Sequence, residues 1–206
     1  MGLHLEPLES RALFSVTLPT PVADAAAQVT NDAAVLRVDF NQAFATASAG
    51  IKEIAAQVKT EPATKPSSQA LAKLETAFAV ERAKDSASIV KYLGEAKLDL
   101  LRVRNTYLAE LKKPTAANTL IVDKAIIALQ GSAYLLQNRF LSLSGTQLTK
   151  VSNAQDALVA ANPDDTALQQ LANSDSTATN AGLNTVYDQI NTVNADIRSL
   201  VNLIYG

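Results

Sequence analysis

Few side chains in this sequence could do chemistry. It contains no cysteine and a single histidine, His4, so beyond residue 4 no imidazole or thiol can serve as base, nucleophile or soft ligand. A Ser-His-Asp triad needs the imidazole as its base, and a di-iron carboxylate bundle needs Glu-x-x-His pairs on facing helices. Zinc, haem and copper sites lose most of their usual ligands for the same reason. Carboxylates remain, chiefly Glu81/Asp85 and Asp164/Asp165. The second pair follows Pro163, where first-turn acids suit a helix start. The first, with Ser88, interrupts an apolar stripe between Phe78 and Ile89 and is expected to form a solvated face or a stutter. No catalytic, cofactor-binding or metal-ligating residue is assigned, no cofactor is expected, and the chain reads as a non-enzyme. Carboxylate-based or Ser-Lys catalysis is the minor alternative.

Prolines organise the chain that would position any such group. Beyond residue 21 they occur only at Pro62, Pro66, Pro114 and Pro163, and a proline inside a helix costs about 3 kcal/mol. This punctuation predicts four long helices, at about residues 22–60, 67–113, 115–161 and 163–205. Candidate caps stand at the junctions: Thr20, Ser67, Thr115, and Asn162 ahead of Pro163-Asp164-Asp165. Lys59 and the pair Lys112-Lys113 fall where a cation meets the negative end of a helix dipole.

Apolar residues recur at alternating spacings of three and four, the pattern of helices packed at a shallow angle. The last segment carries Leu183, Val186, Ile190, Val193, Ile197, Leu200 and Ile204. The first carries Val29, Ala33, Leu36, Phe40, Ala43, Ala47, Gly50 and Ile54. The second carries Ile89, Leu93, Ala96, Leu100, Val103 and Tyr107, and the third Val122, Ile126, Leu129, Ala133, Leu136, Phe140 and Leu143. Short connections make neighbours antiparallel, so the expectation is an all-α, up-down-up-down four-helix bundle, each rod about 60 Å long. Gly145 and the stretch Asn173-Ser174-Asp175-Ser176-Thr177 are weak helix formers, where a kink or short loop is expected.

Of the 206 residues, 48% are hydrophobic and 18% charged, with a net charge of −2. That is enough apolar material for one domain or two small ones. Without a one-signed basic cluster there is no footprint for nucleic acid. The richest apolar stretch, Leu120 to Leu136, is broken by Asp123, Lys124 and Gln130, so no transmembrane segment is expected. With no cysteine, any compartment must be tolerated without disulfides.

The N-terminus speaks to destination. Leu5, Glu6, Pro7, Leu8, Glu9, Arg11, Leu13, Phe14 and Ser15 resemble the LEPR-XLL-type motif of exported proteins from planctomycetes and related bacteria. Phe14 stands where a second aliphatic is usual. The resemblance implies a targeting leader over residues 1–21 and a location at the cell surface or outside the cell; it covers the leader alone. As an ordinary secretory signal the segment is poor, its start being acidic and its apolar run short. Prolines at 19 and 21 are expected to keep it extended and separate from the first helix.

The functional expectation is a non-catalytic, exported helical bundle that acts as a surface, matrix or protein-interaction module, with an unknown protein or matrix partner and with homo-oligomerisation open. The alternative is an amphipathic protein that binds lipid or a membrane surface.

Overall fold

The computed structural model describes residues 16–60 and 64–206, without the side chains of residues 143, 144 and 146–148. The motif residues Leu5 to Ser15 therefore lie outside the described residues. The fold is all-α: α1 (Thr20–Val58), α2 (Lys65–Lys112), α3 (Ala116–Ala160) and α4 (Thr166–Tyr205), with no strand among the described residues.

The helix starts follow from local chemistry, though not always at the expected residue. Thr20 does not cap α1. It is the first helical residue, after Pro19, and Pro21 sits in the first turn, where its missing N–H is no loss. Leu18 packs against the core, so the chain joins the fold slightly before the leader boundary expected at residue 21. Thr64, rather than Ser67, caps α2, accepting a hydrogen bond from the Ser67 amide at 3.2 Å. Thr115 caps α3 as expected, accepting from the Asn118 amide at 3.2 Å. Asp165, rather than Asn162, caps α4 by accepting from the Leu168 amide at 2.8 Å. Asn162 is occupied at the end of α3, where its side-chain amide donates to the Leu158 carbonyl.

Neither of the two weak helix-forming places is a loop. Helix α3 runs through Gly145 and α4 runs through Asn173 to Thr177. In the second case tertiary packing overrides weak propensity: Ala172 and Asp175 are buried, and the Thr177 hydroxyl donates back to the Asn173 carbonyl.

Cross-helix hydrogen bonds set the directions. Gln57 of α1 reaches Asp165 of α4, while Gln189 of α4 reaches the Asp32 carbonyl of α1. Ser132 of α3 reaches Asp99 of α2, and Lys150 of α3 pairs with Glu81 of α2. Tyr205 meets Asp123, and Gln155 meets Ala172, at opposite ends of α3 and α4. Each of these pairs is antiparallel. α1 packs chiefly on α4 and α2 on α3, with thinner α3–α4 and α1–α2 faces. The α1–α4 seam is close: a side chain at Gly182 would stand 3.2 Å from the Cα of Ala43.

Two clusters make up the core. The larger holds Leu36, Phe40, Ile89, Leu129, Leu136, Ile190 and Leu200 among others. The smaller, near the α1–α2 and α3–α4 connections, is built on Ile51, Ile54, Leu71, Leu74, Leu158 and Leu168. Burial of a leucine or isoleucine contributes about 1.5–3 kcal/mol, so many modest layers, rather than one dense centre, hold the rods together.

Candidate functional site

A largely apolar cavity with three carboxylates in its lining lies where the two clusters meet. Phe40, Ala43, Ala47, Phe44 and Ile51 of α1 line it, with Phe78, Glu81 and Asp85 of α2, Phe140 and Val151 of α3, and Asp175, Thr179 and Leu183 of α4. Its volume is about 60 Å³. Four phenylalanines gather there. Phe40 and Phe44 meet edge to face at 4.8 Å between ring centroids, and Phe44 lies 6.4 Å from Phe78.

The carboxylates of α2 overturn the expected solvated face. Glu81 is 5% exposed and lines the cavity. The reason is register: Leu74, Phe78, Glu81, Asp85 and Ile89 follow the inward spacing of three and four, so the acids occupy seam positions. Lys84 and Lys150 approach Oε1 of Glu81 at 3.8 and 3.6 Å. Its Oε2 has no hydrogen-bond partner among the described residues, nor does Oδ1 of Asp85. Burial, reinforced by the neighbouring Glu81 charge, pushes the Asp85 carboxyl up to about 7 against the pull of Arg139 and Lys84.

On the opposite side stands Asp175, which sequence reasoning missed because it sits in a stretch that reads as a loop. It is 7% exposed. Its carboxyl lies against the backbone of Gly50, so that a Cβ at residue 50 would collide with Oδ1 and stand 2.6 Å from Cγ. Oδ1 lacks a partner among the described residues. Gln155 donates to the Ala172 carbonyl at 2.9 Å and stands 3.5 Å from Oδ2 of Asp175. Burial and the nearby Glu53 charge push Asp175 up to about 6, with Gln155 opposing.

Two further polar sites bridge helices. Asp99, buried on α2, accepts from the Ser132 hydroxyl at 2.7 Å and pairs with Arg102 at 2.6 Å. Asp32 and Asp196 face each other across α1 and α4. Burial and the hydrogen bond to Asp32 push Asp196 up to about 6, while that bond holds Asp32 down, the pattern of two carboxyls sharing one proton. Among the described residues no group of three or more acidic or histidine side chains could hold a metal ion.

The thin α1–α2 face leaves a cleft of about 370 Å³ whose floor includes Val29, Leu100, Leu136 and Ile197, with exposed Arg37 and Lys97 on its walls. On the outside of the bundle, α3 exposes Leu120, Ile127 and Tyr134, seven residues apart, with Ile121 and Leu135 beside them. Over Ala116–Ser142, α3 is also long and apolar enough, by length and composition, to cross a membrane. Of the tyrosines, Tyr187 packs against the core, Tyr205 donates to Asp123 at 2.7 Å, and Tyr134 is 64% exposed.

No protein family, curated protein or solved structure matches this chain.

Proposed function

We propose that this protein is a non-catalytic helical-bundle interaction module, exported to the cell surface or its matrix, and that the outer face of α3 is where it meets a second copy of itself. The observation that carries this reading is the second apolar stripe of α3. Val122, Ile126, Leu129, Leu136 and Phe140 already fill its inner face, yet Ile127, 66% exposed, continues a seven-residue repeat with Leu120 and Tyr134 outside. A stripe of that period fits another helix carrying the same period, and a copy of this chain supplies one through an isologous two-fold contact. Exposed apolar patches of this kind mark interaction surfaces. Export is supported by the leader resemblance at Leu5 to Ser15.

Sedimentation of the full chain tests the surface: a dimer that dissociates in Ile127→Lys, with helicity unchanged, is expected. A wild-type chain that stays monomeric at every accessible concentration, or a variant that dimerises equally well, overturns it. Fractionation of the native cells tests the destination, and an intact chain in the cytoplasm would refute export.

One observation favours a second reading, an amphiphile binder at a membrane surface. The α1–α2 cleft exposes a strip of bundle interior beside Arg37 and Lys97, which suits an acyl chain with an anionic head. Flotation with vesicles rich in anionic lipid, weakened by Arg37→Glu and Lys97→Glu, supports it; no flotation removes it.

A further inference from the structure

We infer that the mid-bundle cavity is a binding site for a short aliphatic ammonium ion, held by Glu81, Asp85 and Asp175 around its charge and by Phe44 and Phe78 along its body. This goes beyond the interaction surface of α3 and is independent of it.

The first support is an imbalance of hydrogen-bonding groups. Glu81 and Asp175 are both more than nine-tenths buried and line the cavity, and each leaves an oxygen without a partner among the described residues; Asp85 leaves a third. Buried polar atoms in folded proteins are nearly always partnered, so three orphan acceptors on residues that line one cavity call for a donor that the described residues do not supply. Lys84 and Lys150 come only to Oε1 of Glu81, and neither comes closer than 3.6 Å. An ammonium group is three donors and no acceptor, the complement of what is missing.

The lining selects the kind of cation. The described residues hold no cluster fit to chelate a metal ion, and phenyl rings do not ligate one. Aromatic faces do attract organic cations, and Phe40, Phe44, Phe78 and Phe140 all contribute to the wall. Glu81 and Asp85 come from α2 and Asp175 from α4, so the acids reach the cavity from two helices. That arrangement also admits a diamine with one charge toward each helix. One water needs about 10–15 Å³ of such space, so a cavity of about 60 Å³ admits a ligand of about five non-hydrogen atoms.

Calorimetric titration of the full chain at a pH above 7 tests the site, with n-butylammonium and 1,4-diaminobutane as ligands and n-butanol and potassium chloride as controls. The expected result is saturable one-to-one binding of at least one amine and none of either control. Asp175→Asn should weaken it about tenfold while far-ultraviolet circular dichroism stays unchanged, and Phe44→Leu should weaken it with the acids intact. Tighter binding of the diamine would assign the acids of both helices; equal binding would assign those of one. Absence of saturable heat with either amine up to about 10 mM overturns the inference. So does n-butanol binding as well as the amines, which would make the cavity merely apolar, or undiminished amine binding by Asp175→Asn.

Discussion

Asp175→Asn turns the buried carboxyl into a measurement. Asp175 is raised from 3.8 to about 6 by burial and by Glu53, with Gln155 pulling the other way. A carboxyl whose folded value lies above its unfolded one binds its proton more tightly in the native state. The stability this contributes is fully present below the unfolded value and is lost as pH rises through about 6. About two pKa units correspond to about 3 kcal/mol, which we discount to about 2 kcal/mol for water reaching the cavity.

Asparagine cannot ionise, so this loss should vanish from the variant. Its amide will also lie unpartnered against Gly50, a penalty of about 1–3 kcal/mol that does not change with pH. The informative quantity is therefore a difference of differences. Part of the contribution is already lost at about pH 4.5, so urea melts followed by circular dichroism at about pH 4.5 and about pH 8 should show Asp175→Asn about 1 kcal/mol better, relative to wild type, at the higher pH. Asp85 and Asp196 are raised too, to about 7 and about 6, so the variant should keep a residual decline toward alkaline pH. An identical effect of the substitution at both pH values would refute the argument, because it would mean that Asp175 titrates alike folded and unfolded.

Two other substitutions probe the packing around these groups. Gly50→Ala should destabilise by about 1 kcal/mol in thermal or urea melts: the alanine gains about 1 kcal/mol of helix propensity, but its Cβ collides with the Asp175 carboxyl and overpacking costs about 1–3 kcal/mol. A more stable variant would show that the carboxyl can swing away freely. Ser132→Ala removes the hydroxyl that donates to buried Asp99 at 2.7 Å and should cost about 2 kcal/mol, the range for hydrogen bonds to charged groups. A change below about 0.5 kcal/mol would mean that Arg102 alone satisfies that carboxylate.

Much of the framework was legible because it is periodic. Val186, Ile190, Val193, Ile197 and Leu200 of α4 are buried as the spacing required, as are Val122, Ile126, Leu129, Ala133, Leu136 and Phe140 of α3. Long amphipathic helices carry their own register, so each seam is written within one segment. Caps were less legible, since Asn162 and Asp165 offer the same chemistry three residues apart and the choice turns on the Leu158 carbonyl at the end of the preceding helix. The cavity was not legible at all. Glu81 and Asp85 interrupt the stripe of α2, and whether an acid at a seam position turns out to water or stays inside depends on what faces it from other helices. That Phe44, Val151 and Lys150 stand opposite, and that Gly50 leaves room for Asp175, are facts of inter-helix register that no single segment contains.

The placement of these acids argues for selection on something other than stability. A bundle of this kind could close the junction between its two clusters with leucine at positions 81 and 175, and replacing buried charged groups with well-packed apolar ones is often neutral or stabilising. Instead the junction combines three partly unpartnered carboxyls with four phenylalanines, and the helix propensity of α1 is lowered by a glycine whose missing Cβ makes room for one of the acids. Gly50 and Asp175 each look unfavourable alone and become compatible only together, since the acid needs the space and the space would otherwise be a void. Local rules broken in concert at one point of an otherwise regular framework are the pattern expected of a site that binds something. The α3 stripe breaks a rule of its own, exposing Ile127 and Tyr134 on a helix whose inner face is already filled. The two departures lie on different surfaces, one inside the rods and one outside, so Ile127→Lys should leave amine binding intact and Asp175→Asn should leave self-association intact.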